Sequence, residues 1–168
     1  CLGTPGFFSG KRVHHQGWGR WYSNDNGATW SEPQYIDEEF VYSKFDKSAY
    51  GPIRGWFIGS GKICQSTKTK VNKYRRLYLV GSSCRQGSNE TANWVLYSDD
   101  FGETWEFLGG CDVSPMPNGD EPKAEELPDG SVLLSSRCNG GRRFNIFTFT
   151  GNDGVTGSWA TKALSNKA

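Results

Sequence analysis

The sequence predicts an all-β protein built from propeller-like blades of about four antiparallel strands. An eight-residue unit occurs twice, at 23–30 and 98–105, with the shared frame S-x-D-x-G-x-T-W, and an internal repeat indicates a repeating architecture. The chain is also rich in glycine (22 residues) and in aromatic side chains (14%), which favours short strands joined by tight turns. No segment has the periodicity that would predict a helix.

The composition is that of one ordinary globular domain. The chain has 168 residues, and its 19 Lys and Arg side chains nearly balance 18 Asp and Glu. The formal net charge of +1 gives no electrostatic reason to expect nucleic acid or an anionic membrane as a partner. No apolar run approaches the ~20 residues of a membrane span, and no signal peptide is visible.

Neither the cysteines nor the histidines predict a metal site. The five cysteines contain no C-x-x-C pair, and their odd number leaves at least one unpaired within the chain. Buried free thiols are the favoured interpretation, with one or two disulfides as the alternative. His14 and His15 are adjacent, so in a strand they would point to opposite faces. We expect no metal and no organic cofactor.

Each repeated unit predicts a hairpin clasp. In the first, Asp25 can accept bonds from backbone N–H groups, Gly27 permits a positive φ, and Trp30 is expected to act as a large apolar plug. The second unit has the same residue types at Asp100, Gly102 and Trp105. The spacing does not match an EF-hand loop, so these acids are expected to be structural.

The strands around the units divide the chain into partial blades. Residues 1–36 look like the end of one blade, 53–110 form another, and 111–168 form most of the next. Three partial blades do not close a ring and leave unpaired edges. We therefore expect the remainder of the propeller as a partner, either in the same longer protein or in another chain.

Two other segments carry expectations of their own. Residues 31–52 read as irregular, and the glycine-punctuated stretch 50–65 reads as a loop that leads into a strand near Lys62–Ser66. Residues 151–159 look like a degraded copy of the repeated unit that ends in Trp159. The basic segment 68–76 favours a solvated hairpin tip, with an anion site as the alternative.

The motifs carry a family resemblance. Both units resemble the Asp boxes of sialidases, which also occur in propeller proteins of other function. The stretch GDEPKAEELPDGSVLLSSR, residues 119–137, is similar to the bacterial sialidase segment in which a catalytic Glu opens one strand and an Arg ends the next. Residues 141–147 and 55–65 extend the likeness over nearly the whole chain. It implies the middle of a six-bladed catalytic propeller.

The resemblance implies a segment of a retaining exo-α-sialidase, which removes terminal sialic acid from sialylated glycans. Guanidinium groups match the geometry of the sialate carboxylate, and Arg137 corresponds to the second of three arginines in the family. The family uses a Tyr nucleophile, which needs a carboxylate as its base. Glu121 corresponds to that base, and Glu125 and Glu126 are the alternatives nearby.

The assignment of Arg137 leaves alternatives open. It could be a salt-bridging surface arginine, in which case Arg142 or Arg143 would bind the carboxylate. Three further residues are candidates for lining the same cavity: Arg54, Trp56 and Gln65.

The remaining catalytic residues of the family fall outside the match. Its first Arg and its Asp acid/base would precede the first unit, and its third Arg and its Tyr would follow residue 168. The stretch alone is therefore expected to be inactive. The resemblance also implies an extracellular or periplasmic location. The competing hypothesis is a non-catalytic Asp-box propeller that binds glycans or proteins.

Overall fold

The computed structural model describes residues 18–59, 62–139, 141–161 and 164–166. Strands dominate this part, and they form three antiparallel sheets. The smallest sheet pairs β1 (Trp18–Arg20) with β2 (Gln34–Ile36), and the first repeated unit connects them. His14, His15 and Cys1 lie outside the described residues.

One helix follows the small sheet and corrects the expectation of an irregular, helix-free segment. It is α1 (Glu39–Asp46), and its buried face consists of Val41, Tyr42 and Phe45. The Asp37 carboxylate accepts a hydrogen bond from the Glu39 N–H at 2.9 Å and supports the first turn. Two turns of helix contain too few apolar positions for their periodicity to stand out in the sequence.

The central sheet contains six strands, which occupy four positions side by side. Its strands are β3 (Ile53–Ile58), β4 (Cys64–Val71), β5 (Tyr74–Arg85), β6 (Thr91–Ser98), β7 (Glu106–Phe107) and β8 (Met116–Pro117). The order is β3-β5-β6-β7, with β4 also paired to β5 and β8 also paired to β6. Since β6 covers one edge of β5 almost throughout, β3 and β4 share its other edge.

The third sheet also has four strand positions. Its strands are β9 (Asp120–Glu126), β10 (Val132–Cys138), β11 (Gly141–Phe149), β12 (Gly157–Trp159) and β13 (Leu164–Asn166). The order is β9-β10-β11-β12, and β13 pairs with β11 as well. The turn between β9 and β10 contains Gly130 at φ 89°, a left-handed conformation that glycine adopts without strain.

Two hydrophobic clusters lie on the two faces of the central sheet. Leu77 and Leu79 of β5 join the cluster that contains α1, while Tyr78 and Val80 join the cluster shared with the third sheet. Because both faces of β5 are buried, this strand reads as a continuous apolar run rather than as an alternating one. Sheets stacked face to face in this way agree with neighbouring blades.

The protein is therefore mostly β, with antiparallel sheets, as expected. None of the described sheets closes on itself, so the six-bladed ring and the blade boundaries stay predictions. Over the described ranges, no helix has the length and apolar character needed to cross a membrane.

Candidate active site

The two repeated units fold as clasps with the same set of bonds. In the first, the Asp25 carboxylate accepts the Thr29 N–H at 2.8 Å and the Thr29 hydroxyl at 2.6 Å. In the second, Asp100 accepts the same two groups of Thr104 at 2.9 and 2.6 Å. The bonds from Thr29 lower the pKa of Asp25 to about 2. Each carboxylate therefore closes the loop of its own unit.

The degraded unit at 151–159 is a clasp of the same kind, with a different spacing. The Asp153 carboxylate accepts the N–H of Thr156 at 2.7 Å, three residues later instead of four. Gly154 has φ 72°, and the indole of Trp159 donates to the Leu108 carbonyl at 2.9 Å. The Asp–Thr spacing is thus one residue shorter and the Thr–Trp spacing two residues longer than in the full-length units, while the carboxylate–threonine contact remains.

The two tryptophans of the full-length units lie in different surroundings. Trp105 is 6% exposed and packs against Trp18, with their ring centroids 5.8 Å apart. Trp30 is 63% exposed, so the prediction that it plugs a core is wrong for the described structure. The β1–β2 sheet has only two described strands, which leave the indole uncovered.

Glu121 and Arg137 lie side by side at one end of the third sheet. Glu121 is near the start of β9 and Arg137 is near the end of β10, and antiparallel pairing brings these ends together. The Arg137 Nε lies 3.1 Å from the Glu121 Oε2. Arg137 also bonds the Asp120 carboxylate through its Nη2. The hydrogen bond to Asp120, with the nearby charge of Glu121, raises the pKa of Arg137.

The backbone at Glu121 adopts an unusual conformation. Its φ is 42°, in the left-handed region that non-glycine residues rarely occupy. The Asp120 Oδ1 accepts the Glu121 N–H at 2.8 Å and supports this conformation. The register between β9 and β10 also shifts between Ser135 and Arg137. Such local strain is concentrated at functional sites, and no motif in the sequence announced it.

A buried polar network supports the start of β9. The Asn93 amide bonds the hydroxyls of Ser82 and Ser136 at 2.8 and 2.6 Å, and all three side chains are buried. The Ser136 hydroxyl in turn accepts the Asp120 N–H at 3.1 Å. A Cβ at Gly119 would lie 2.4 Å from the Asn93 amide, so only glycine allows the chain to pass this close.

Two further arginines border Glu121 and Arg137. The Arg142 Nε donates to the Ser135 hydroxyl at 2.8 Å, and its Nη2 donates to the Glu121 carbonyl at 3.3 Å. Arg143 bonds the Pro117 carbonyl. The three arginines and two acids of this group carry one net positive charge. A polar cleft of about 530 Å³ adjoins them, with Arg137 and Arg143 in its lining. The arrangement suits a small anionic group.

Comparison with known proteins identifies the family of the chain. The BNR/Asp-box repeat family matches residues 21–32 and 96–107. Sialidase-3 of Rattus norvegicus is 28% identical over 138 residues, which are 79% of this chain and 31% of that protein. A sialidase of Paraclostridium sordellii is 33% identical over 120 residues, which are 71% of this chain and 27% of that protein. The chain is a sialidase-family Asp-box protein.

The sialidase-family chain spans about a third or less of the length of these relatives. A solved structure of a protein of unknown function from Dyadobacter fermentans DSM 18053 shares its fold, with a TM-score of 0.55 and 24% identity. That match covers 86% of this chain and 38% of the other.

The two glutamates that the sequence offered as alternatives to Glu121 are engaged elsewhere. Glu125 pairs with the Lys62 Nζ at 3.2 Å. Glu126 accepts bonds from the Ser66 hydroxyl and from the Thr67 N–H and hydroxyl. Burial alone would raise the pKa of Glu126, but these bonds lower it. Among the three glutamates, Glu121 is the one that pairs with Arg137.

The proposed cavity residues are spread over β3 and β4. Trp56 is 0% exposed and packs in the cluster with α1, so the expectation that it lines a cavity is wrong, because a side chain without exposed surface cannot touch a ligand. Arg54 is nearly buried and donates to the Asn89 side chain at 3.2 Å. Gln65 lies exposed on β4. Arg54 and Trp56 belong to a strand, not to the expected loop.

A glycine of the neighbouring strand accounts for the burial of Trp56. A Cβ at Gly81 would lie 2.0 Å from the Trp56 ring, so Gly81 of β5 makes room for the indole across the sheet. Glycine here serves close packing rather than a turn. The four described cysteines, Cys64, Cys84, Cys111 and Cys138, are free thiols, and the first two are buried.

Proposed function

We propose that the chain is the part of a retaining exo-α-sialidase, within a six-bladed β-propeller, that supplies the catalytic base and one carboxylate-binding arginine. The observation that carries the proposal is the ion pair between Glu121 and Arg137, 3.1 Å apart at the ends of neighbouring strands. The likeness to two sialidases supports it. In this proposal the blades are 1–36, 53–110 and 111–168.

The base is Glu121. Its carboxylate takes the phenolic proton of a Tyr nucleophile while the Tyr oxygen forms a bond to the anomeric carbon of the sugar. The bond to the leaving oxygen breaks, and an acid protonates that oxygen. The Tyr, the Asp acid and two further arginines would come from outside this stretch.

The anion site centres on Arg137. A guanidinium can hold the sialate carboxylate through two parallel N–H···O bonds. Arg142 and Arg143 add positive charge beside it, which offsets the negative charges of Asp120 and Glu121. The substrates would be sialylated glycans, the partner would be the remainder of the propeller, and the location would be extracellular or periplasmic.

Two substitutions test the assignment in the complete protein that carries this segment. Glu121→Gln and Arg137→Lys should each lower kcat/KM for a fluorogenic sialoside by roughly 100-fold or more, since a positioned base contributes about 10²–10⁴-fold. Glu125→Gln and Arg75→Lys are the matched controls, because they change the same residue types outside the ion pair. Both controls should keep near wild-type activity.

The outcomes separate the two function hypotheses. Near wild-type activity of Glu121→Gln, with an unchanged unfolding midpoint, would reject its role as base. A complete protein that binds the sialoside without hydrolysing it, and whose flanking sequence lacks the Tyr and Asp, would instead identify a glycan-binding Asp-box propeller.

A further inference from the structure

The Asp120 carboxylate contacts Arg137, which is the arginine proposed to bind the substrate carboxylate. It is the residue directly opposite Arg137 across the β9–β10 pair. Its carboxylate bonds the Arg137 Nη2, while Glu121 takes the Nε. Two donor groups of the guanidinium therefore already contact acids of the same chain. All three side chains are more than half exposed, so a ligand from solution can reach them.

Hydrogen bonds also hold both the backbone and the carboxylate of Asp120 in place. Its N–H donates to the Ser136 hydroxyl at 3.1 Å, and its carbonyl accepts from the same hydroxyl at 3.1 Å. Its Oδ1 accepts the Glu121 N–H at 2.8 Å, which leaves the Oδ2 directed at Arg137. Ser136 is fully buried. The carboxylate is therefore preorganised toward the guanidinium rather than one of many solvated surface acids.

We propose that Asp120 limits the affinity of the Arg137 site for a sialate carboxylate by competing for the Arg137 guanidinium. This inference rests on the proposed function. An incoming carboxylate must displace the Asp120 oxygen or bind beside it, and either course has an unfavourable electrostatic contribution. A simple carboxylate that offers no other contacts is therefore bound weakly. The free sialic acid product carries the same carboxylate, so its release is favoured as well.

Asp120→Asn isolates this competition. The Asn oxygen can still accept the Glu121 N–H, and the backbone bonds to Ser136 do not involve the side chain, so the start of β9 should keep its conformation. The substitution removes the negative charge from Arg137. In the complete protein, free sialic acid and acetate should each bind roughly tenfold more tightly than in wild type, as expected for the loss of one charge-assisted competitor. Titration calorimetry gives the dissociation constants.

The control is Glu125→Gln, which removes one negative charge from the same strand without touching Arg137. It should leave both dissociation constants within about twofold of wild type, since exposed charges at a distance contribute little. Unchanged binding in Asp120→Asn would overturn the inference. Weaker binding would overturn it too and would make Asp120 a positioning residue for Arg137.

The proposed function can fail separately. A complete wild-type protein that neither binds nor hydrolyses sialosides would reject the sialidase proposal. Acetate titration, followed through the Arg137 Nε–H resonance by NMR, would still decide the competition. Tighter acetate binding in Asp120→Asn than in wild type supports it, and equal binding overturns it.

Discussion

Glu38 is a buried carboxyl beside the first turn of α1, with 2% of its surface exposed. Burial, with a smaller effect from the charge of Asp37, raises its pKa from 4.5 to about 7. The folded protein therefore holds this proton more tightly than the unfolded chain does. Ionisation of Glu38 between about pH 5 and 7 favours unfolding, so its effect on stability is opposite in sign to that of the Asp-box acids.

Glu38→Gln should remove this pH dependence. In wild type, the free energy of unfolding should fall by on the order of 2 kcal/mol from Glu38 as the pH rises from 5 to 7. The variant should lack that loss and be the more stable protein at pH 7. Urea titrations of both proteins at pH 5, 6 and 7 measure the difference. Parallel curves at all three pH values would show that Glu38 does not titrate in this range.

The sequence did not predict the positive φ of Glu121 or the contact between Asp120 and Arg137. Glu121 and Arg137 were singled out because residues 119–137 resemble a sialidase segment. The competition by Asp120 depends on the register of β9 against β10. That register includes an irregularity between Ser135 and Arg137, which has no signature in either strand. The sequence therefore offered the candidate residues, but not their immediate electrostatic environment.

Among the structural elements, the Asp-box clasp offers a direct test of stability. Asp100→Ala removes three side-chain contacts, from the N–H and hydroxyl of Thr104 and from the Ser98 hydroxyl. We expect a loss of about 2 kcal/mol in the free energy of unfolding, because these bonds involve a charged, partly buried acceptor. Urea unfolding measures it.

Asp25→Ala is the matched comparison, because it removes the same bonds from the first clasp. Its midpoint should shift less, since Trp30 is mostly exposed and the first clasp therefore anchors little packing. An equal or larger shift for Asp25→Ala would show that burial of the neighbouring Trp does not set the importance of a clasp.

The clasps could be predicted from the sequence because the bonds of their Asp carboxylates to Thr and Ser join residues at most four positions apart. The helix and β3 could not. In α1, Val41 and Phe45 are the two apolar positions one turn apart, which is too short a pattern to separate from a loop. In β3, the glycines of 50–65 suggested a loop, although a Cβ at Gly59, directly after the strand, would lie 2.8 Å from the Val80 side chain, so this glycine serves close packing. Both errors arise where tertiary contacts decide the local structure.

At the scale of the whole molecule, the central sheet links the two cores. Neighbouring residues of β5 alternate between the clusters, so Leu79 belongs to the first and Val80 to the second. If one cluster came apart, one face of β5 would be exposed to water. The strand would then also be less able to support the other cluster on its opposite face. The described sheets should therefore unfold together, in a single transition.

Phe147→Leu tests this cooperativity from the second cluster. Phe147 is fully buried and packs edge-on against Trp159, with their ring centroids 5.3 Å apart. Replacing it with Leu should cost about 1–2 kcal/mol through lost volume and ring contact. Far-UV circular dichroism reports on all sheets, while four of the seven tryptophans lie in the first cluster and make fluorescence report mainly on it. Both probes should move to the same lower urea midpoint.

The control for this experiment is Tyr35→Leu, which changes an aromatic side chain that is 67% exposed and should leave the midpoint unchanged. A fluorescence midpoint that stays at its wild-type value, while the circular dichroism transition moves or splits, would show that the third sheet unfolds independently. A shared shift means that a mutation on one face of the central sheet destabilises packing on the other. Substitutions at the Arg137 end of the third sheet would then have to be compared at matched global stability before a change in sialate binding is assigned to the site itself.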